Sequence, residues 1–210
     1  LHDDEAWIKY PQHHKWFNKL WLAEQFGYNC GPASVSVPEE KEYFIKPIYN
    51  LSGMGVGARK TKLSPTQDLT IPGYFWCEYF EGTHLSIDYE WQPNGPPFWK
   101  PIRCHQGIQL SPQRFQRWVR WDPKDVEFEL PHFFWQLSDV GIINVEMIEE
   151  NIIEVHLRPN PDPDYDEMVP VFADNYTMIR DPKYRDYTWI ESYDDADGEL
   201  NPPRQGFLVR

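Results

Sequence analysis

Residues 142–159 read IINVEMIEENIIEVHLRP. Two apolar segments, 142–148 and 152–157, flank Glu149, Glu150 and Asn151, a pattern that predicts an antiparallel hairpin closed by a short polar turn. Side chains two apart on a strand share a face, so Glu154, His156 and Arg158 point the same way. Glu146 lies on the neighbouring strand. Two carboxylates on paired strands can converge on one divalent cation, and Mg²⁺ takes carboxylate oxygens while keeping water and phosphate oxygens in its shell. Taken alone, the same hairpin also reads as a solvated acidic face.

Upstream, residues 43–60 read YFIKPIYNLSGMGVGARK. A strand over 42–48 delivers Lys46 to the edge of a loop containing Gly53, Gly55 and Gly57, whose backbone N–H groups can approach an anion closely. The lysine precedes the glycines, the reverse of the Walker order. A plain surface hairpin with a glycine-rich tip is the alternative for this segment.

Between and around these segments the pattern alternates between helical and extended. Residues 14–26, with Trp16, Phe17, Leu20, Trp21 and Leu22, predict one helix ending at Gly27. Extended segments are expected at 70–79 and 82–91, a turn-rich connection at 93–101, a short helix at 112–118 and a helix over 130–140 stopped by Gly141. Prolines exclude regular structure from RPNPDPDY, residues 158–165. The mixture is an α+β class with antiparallel sheets and flanking helices.

The chain has 210 residues, enough for one domain or one domain with two lobes, and 20 prolines, roughly twice the usual ~5%, which rules out a helical bundle. A net charge of −13, concentrated in residues 122–199, argues against duplex nucleic acid as a partner, because affinity there comes from neutralised phosphates. Cys30, Cys77 and Cys104 fit no metal-ligand spacing, and no apolar run approaches ~18 residues. A cytoplasmic protein without membrane contact is expected. The chain opens on Leu1 rather than Met, so a preceding segment is expected to have been removed.

Four segments in order resemble the ATP-grasp superfamily: His14-Lys15-Trp16-Phe17-Asn18-Lys19-Leu20 as the opening helix, Phe44-Ile45-Lys46-Pro47 with Gly53-Met54-Gly55, Cys77-Glu78-Tyr79-Phe80-Glu81-Gly82 as a hinge, and Glu154-Val155-His156-Leu157-Arg158-Pro159 as the closing hairpin. The resemblance implies a single two-lobed unit over 1–210 with ATP between its lobes. These would be an opening helix near 1–30, a small glycine-loop lobe over 31–80, a larger metal-site lobe over 81–175 and a tail over 176–210. It also implies Lys15 and Lys46 on the phosphates, Gly53, Met54 and Gly55 closing over them, and Glu78, Phe80 and Glu81 at the adenine end. Glu146, Glu154 and His156 would hold Mg²⁺, and Arg158, with Lys46, would act on the acyl phosphate. The implied activity is Mg²⁺-ATP-dependent activation of a carboxylate as an acyl phosphate for attack by an amine.

The departures bear on that expectation. His156 stands where the family has Asn, and His14 where it has Asp. The usual N-terminal substrate domain is expected to be absent or not included in this sequence, with a partner protein or second domain supplying the acceptor site. A non-catalytic nucleotide-binding or assembly protein, or a kinase of the same fold, is the alternative. Arg114, Arg117 and Arg120, every third residue, predict a solvated helix face or an anion-binding one.

Overall fold

The computed structural model describes residues 1–52, 55–67, 69–111, 114–194 and 202–210. Helix α1 (Asp3–Lys9), a 3-10 segment (Pro11–Phe17) and helix α2 (Lys19–Gln25) precede the strands β1 (Cys30–Pro32), β2 (Lys41–Pro47), β3 (Arg59–Leu63) and β4 (Tyr74–Glu78). Then come β5 (His84–Gln92), β6 (Phe98–Ser111), β7 (Arg114–Trp121), β8 (Ile142–Ile148), β9 (Asn151–His156), β10 (Glu167–Phe172), β11 (Thr188–Asp194) and β12 (Arg204–Val209). The first four strands form a sheet in the order β1-β4-β2-β3, and the other eight form a second, β11-β12-β10-β7-β6-β5-β8-β9. All pairings are antiparallel. The class is α+β, as the pattern predicts.

Period-two alternation gives the large sheet two chemically opposite faces. Ile87 and Tyr89 of β5, Ile143, Val145 and Met147 of β8, and Val155 of β9 are buried in one core with Ala6, Tyr10, Trp16, Phe17 and Leu22 of the N-terminal segment. The other face carries His84, Ser86 and Asp88, then Asn144 and Glu146, then Glu154 and His156. Covering the apolar face therefore forces the polar set onto the face opposite. The small sheet alternates likewise: Tyr43 and Ile45 are buried with Leu63 and Trp76, leaving Phe44 and Lys46 on the other side.

Several local expectations change. The helix expected over 14–26 is broken at Asn18, whose extended backbone (φ −84°, ψ 100°) ends the 3-10 segment and whose side chain accepts the Trp21 N–H at 2.8 Å. An asparagine that can cap a helix start outcompetes continuation of the preceding turn. The helix expected over 130–140 is a 3-10 turn, His132–Leu137, behind Pro131. The segment 112–118 is not helical in its described part. Arg114 begins β7, which pairs along β6 and positions each arginine against an acid of this chain: Arg114 on Asp174, Arg117 on Glu167, Arg120 on Asp164 and Asp166. The connection expected over 93–101 gives way to β6 at Phe98. Within the tail expected over 176–210, the described strands join the large sheet: β12 lies between β11 and β10, and Gly206 permits this because a Cβ there would stand 2.1 Å from the Ile190 carbonyl oxygen. No helix among the described residues is long and apolar enough to cross a membrane.

Because the Asn18 cap starts the helix that positions Lys19, Asn18→Ala is expected to lower unfolding free energy by about 1 kcal/mol. Urea titration measures it; an unchanged midpoint would show that the cap carries no stability.

Candidate functional site

A cleft of about 550 Å³ lies between the two sheets. Its small-sheet wall carries Phe44 and Lys46 of β2, Cys77 and Glu78 of β4, and Gly55, Val56 and Ala58 of the glycine-rich loop. Its large-sheet wall carries His84, Asn144, Glu146, Glu154, His156 and Arg158. Residues 79–83 join β4 to β5 and so link the walls, with Tyr79 and Phe80 lining the cleft and Phe80 edge-on to Tyr28 at 4.8 Å.

Charges from the two walls converge. Lys46 Nζ donates to the Ile153 carbonyl at 3.1 Å, bringing the strand-end cation beside the β8–β9 hairpin. Burial lowers its pKa, nearby Lys19 lowers it further, and Glu154 opposes both. Glu146 and Glu154 are direct cross-strand partners. Lys19 Nζ reaches Glu154 at 2.5 Å, and His84 Nε2 lies 3.3 Å from Glu146. Burial pushes the Glu146 carboxyl up, but His156 and His84 outweigh it and hold the group well below the usual carboxylate range.

Lys19 replaces Lys15 in the expected set. Lys15 donates to Gln136 at 2.6 Å and lies over the Trp21 ring, outside the cleft. Both lysines lie in the quoted motif, and the break at Asn18 decides which one faces the sheet. Glu78 lines the cleft, but one carboxylate oxygen accepts the Asn29 N–H at 2.8 Å, closing the β1–β4 edge. Glu81 is exposed beside Lys60 at 3.7 Å and is outside the lining, unlike Phe80 and Gly55. Gly53 and Met54 lie outside the described residues.

His156 and Arg158 share a partner that no sequence motif marks. Asp3 at the start of α1, 3% exposed, accepts from Arg158 at 2.6 Å and lies 2.9 Å from His156 Nδ1. Its other oxygen is buried without a partner among the described residues. Burial would lower the His156 pKa, but Asp3 and Glu154 outweigh burial and Arg158, lifting it to about 9. With Nδ1 on Asp3, the His156 Nε2 faces the carboxylate pair, 3.8 Å from an oxygen of each of Glu146 and Glu154. No local pattern links residue 3 to residue 156, and only the packing of α1 on the sheet joins them.

Among the described residues no group of three or more His, Cys, Asp and Glu side chains is gathered as a metal cage. The Glu146–Glu154 pair nevertheless fits Mg²⁺, which is commonly held by one or two carboxylates together with substrate phosphates. Lys19, Lys46 and the glycine-rich loop supply the cationic and N–H donors that such phosphates require.

Across the outer part of the same sheet face runs the proline-rich segment 158–166. Arg103 donates to the Asn160, Asp162 and Pro163 carbonyls, and Asp88 accepts the Asn160 N–H at 2.9 Å. Prolines cannot donate to a ladder, so this strip is held by side chains instead.

No protein-family model and no curated protein matches this sequence. Solved structures do. N5-carboxyaminoimidazole synthetase from Staphylococcus aureus, complexed with ADP, matches with a TM-score of 0.54 at 9% identity, over 92% of this chain and 67% of that one. Carboxyaminoimidazole ribonucleotide synthase from Aspergillus clavatus, complexed with ATP, matches at 0.51 and 10%, over 94% and 69%. The chain spans 46% of an ATP-grasp superfamily protein from Archaeoglobus fulgidus, at 13% identity and a TM-score of 0.36. At these identities the likeness is one of fold.

The Asp3 cluster generates a prediction. Burial would raise the Asp3 pKa, but His156 and Arg158 hold it well below 3.8, so its stabilisation is present above that value and lost as pH falls through the folded one. The His156 share is fully present below 6.5 and is lost as pH rises through about 9. Asp3→Asn is expected to cost about 3 kcal/mol near pH 6, as for a broken buried ion pair, and less at pH 9. Urea unfolding of both proteins at the two pH values tests this; equal costs would uncouple Asp3 from His156.

Proposed function

Starting from a chain with the ATP-grasp fold, we propose that it is a Mg²⁺-ATP-dependent ligase that joins a carboxylate to an amine. The observation that carries the proposal is the meeting of Lys46 and Lys19 with the cross-strand Glu146–Glu154 pair in one cleft. ATP supplies a transferable phosphoryl group, which makes the carboxylate an acyl phosphate with release of ADP; the amine then displaces inorganic phosphate and loses a proton.

The chain's own residues contribute position and charge, from which most of the catalysis of phosphoryl transfer comes. Lys46, fixed by the Ile153 carbonyl, and Lys19 face the phosphates, while Glu146 and Glu154 offer oxygens to Mg²⁺. The Lys19–Glu154 contact would open on binding, Lys19 then serving phosphate and Glu154 the metal. Phe80, Tyr28 and the 79–83 link form the apolar end suited to the base. Arg158, paired with Asp3, holds positive charge at the carboxylate-activating end. The acceptor site and the cytoplasmic location are part of the same reading.

A ligand present at 100 times its Kd stabilises a protein by about 2.7 kcal/mol. Mg²⁺-ATP is therefore expected to raise the wild-type Tm, and Lys46→Ala to remove most of that rise while leaving the unliganded Tm nearly unchanged. Glu146→Gln and Glu154→Gln should each leave a shift that no longer responds to Mg²⁺. Full shifts in all three variants would overturn the assignment. Nucleotide binding without ADP release in the presence of a carboxylate and an amine would favour the non-catalytic reading, for which the closed Lys19–Glu154 pair is the supporting observation.

A further inference from the structure

The cleft extends beyond the carboxylate pair. From Glu154 on β9 its floor crosses β8, β5, β6, β7 and β10 to β12, six strand spacings or about 29 Å. Past His84 the lining takes on the rings of Phe115 and Trp118, with Phe172 further on and the polar Gln109, Ser111, Asp162 and Arg204 at its margins.

This stretch is built. Phe115 and Trp118 pack with ring centroids 4.2 Å apart, and His84 meets them edge-on at 4.9 and 5.8 Å. Gly107 is the register partner of both His84 and Trp118, and its missing side chain makes room for the rings. A Cβ there would stand 2.6 Å from Phe115 Cε1 and 2.9 Å from Trp118 Cζ3. Phe115 and Trp118 remain half-buried, whereas Phe207 and Met168 behind them are fully buried. His84, 7% exposed, places Nε2 on Glu146 and leaves a buried Nδ1 without a partner among the described residues. A buried unmet nitrogen is costly, and a bound polar group would satisfy it.

We propose that this aromatic stretch seats the body of the second substrate, a carboxylic acid carrying an aromatic or flat apolar group. The proposal rests on the ligase reading, which puts the carboxylate to be activated at the Arg158 end of the cleft, beside the Glu146–Glu154 pair; the body then runs over His84 onto Phe115 and Trp118. Ring-on-ring packing adds to area burial, so the wall selects rings over short chains. A phosphorylated body finds little charge to meet it, because Arg204 at the far end is 2.9 Å from Asp162 and lies over Phe207.

The test is calorimetric titration of wild type, Trp118→Ala and Phe115→Leu with 3-phenylpropanoate and L-phenylalanine, against propanoate and L-alanine. Each is run with and without the Mg²⁺-bound non-hydrolysable ATP analogue, whose own binding is measured in the same samples. Wild type is expected to bind at least one phenyl probe about tenfold or more tighter than its methyl counterpart, and Trp118→Ala to lose that preference. Phe115→Leu, the milder change, is expected to weaken it. Equal binding of phenyl and methyl probes by wild type, or an undiminished preference in both variants, overturns the proposal. Phenyl preference without any nucleotide binding supports the seat and removes the nucleotide reading; nucleotide binding without phenyl preference does the reverse.

Discussion

The site depends on one constraint, the alternation of the large sheet where β5, β8 and the end of β9 cross the core. Each strand that sends Ile87, Val145 or Val155 into the core beneath the N-terminal helices must send its neighbours to the opposite face. A one-residue slip at β8 or β9 would exchange Glu146 or Glu154 for valine and bury a carboxylate in an apolar core. The register is thus enforced by the hydrophobic effect, and the cross-strand carboxylate pair follows from it. Function is coupled to stability through the same alternation.

Charges gathered by such a face must be compensated, and here the compensation comes from distant parts of the chain. Lys19 answers Glu154, His84 answers Glu146, and Asp3 answers His156 and Arg158. Each partner is delivered by a separately stabilised element: a capped helix, the strand after the hinge and the first helix. In the cleft a divalent cation and phosphates would therefore exchange partners with existing ion pairs, and meet Lys46, which is held by a backbone carbonyl. Such exchange costs less than desolvating unpaired groups.

What is legible in the sequence is what short-range periodicity encodes. The hairpin of β8 and β9, the strand bearing Lys46 and the extended segments around 74–78 and 84–92 are all readable, because alternation and turn residues are local. Apolar spacing over 14–26 misleads at Asn18, where a side-chain cap overrides it, and β7 resists reading because arginines at every third residue mimic a helical face. The β11 and β12 segments carry weak patterns, and pairing makes strands of them, β12 with β10 and β11 with β12. Within the site, Glu146, Glu154 and Lys46 can be named from the chain, whereas Asp3, His84 and Lys19 acquire their roles only when elements far apart in sequence are packed.

The central claim is that both walls bind one nucleotide. A crystal structure of the chain with Mg²⁺ and a non-hydrolysable ATP analogue tests it most directly. The account predicts triphosphate oxygens on Lys46 and Lys19, Mg²⁺ bridging them to Glu146 and Glu154, and the base against Phe80. An analogue bound elsewhere, or a cleft in which Lys19 still holds Glu154 at saturating nucleotide, would contradict it.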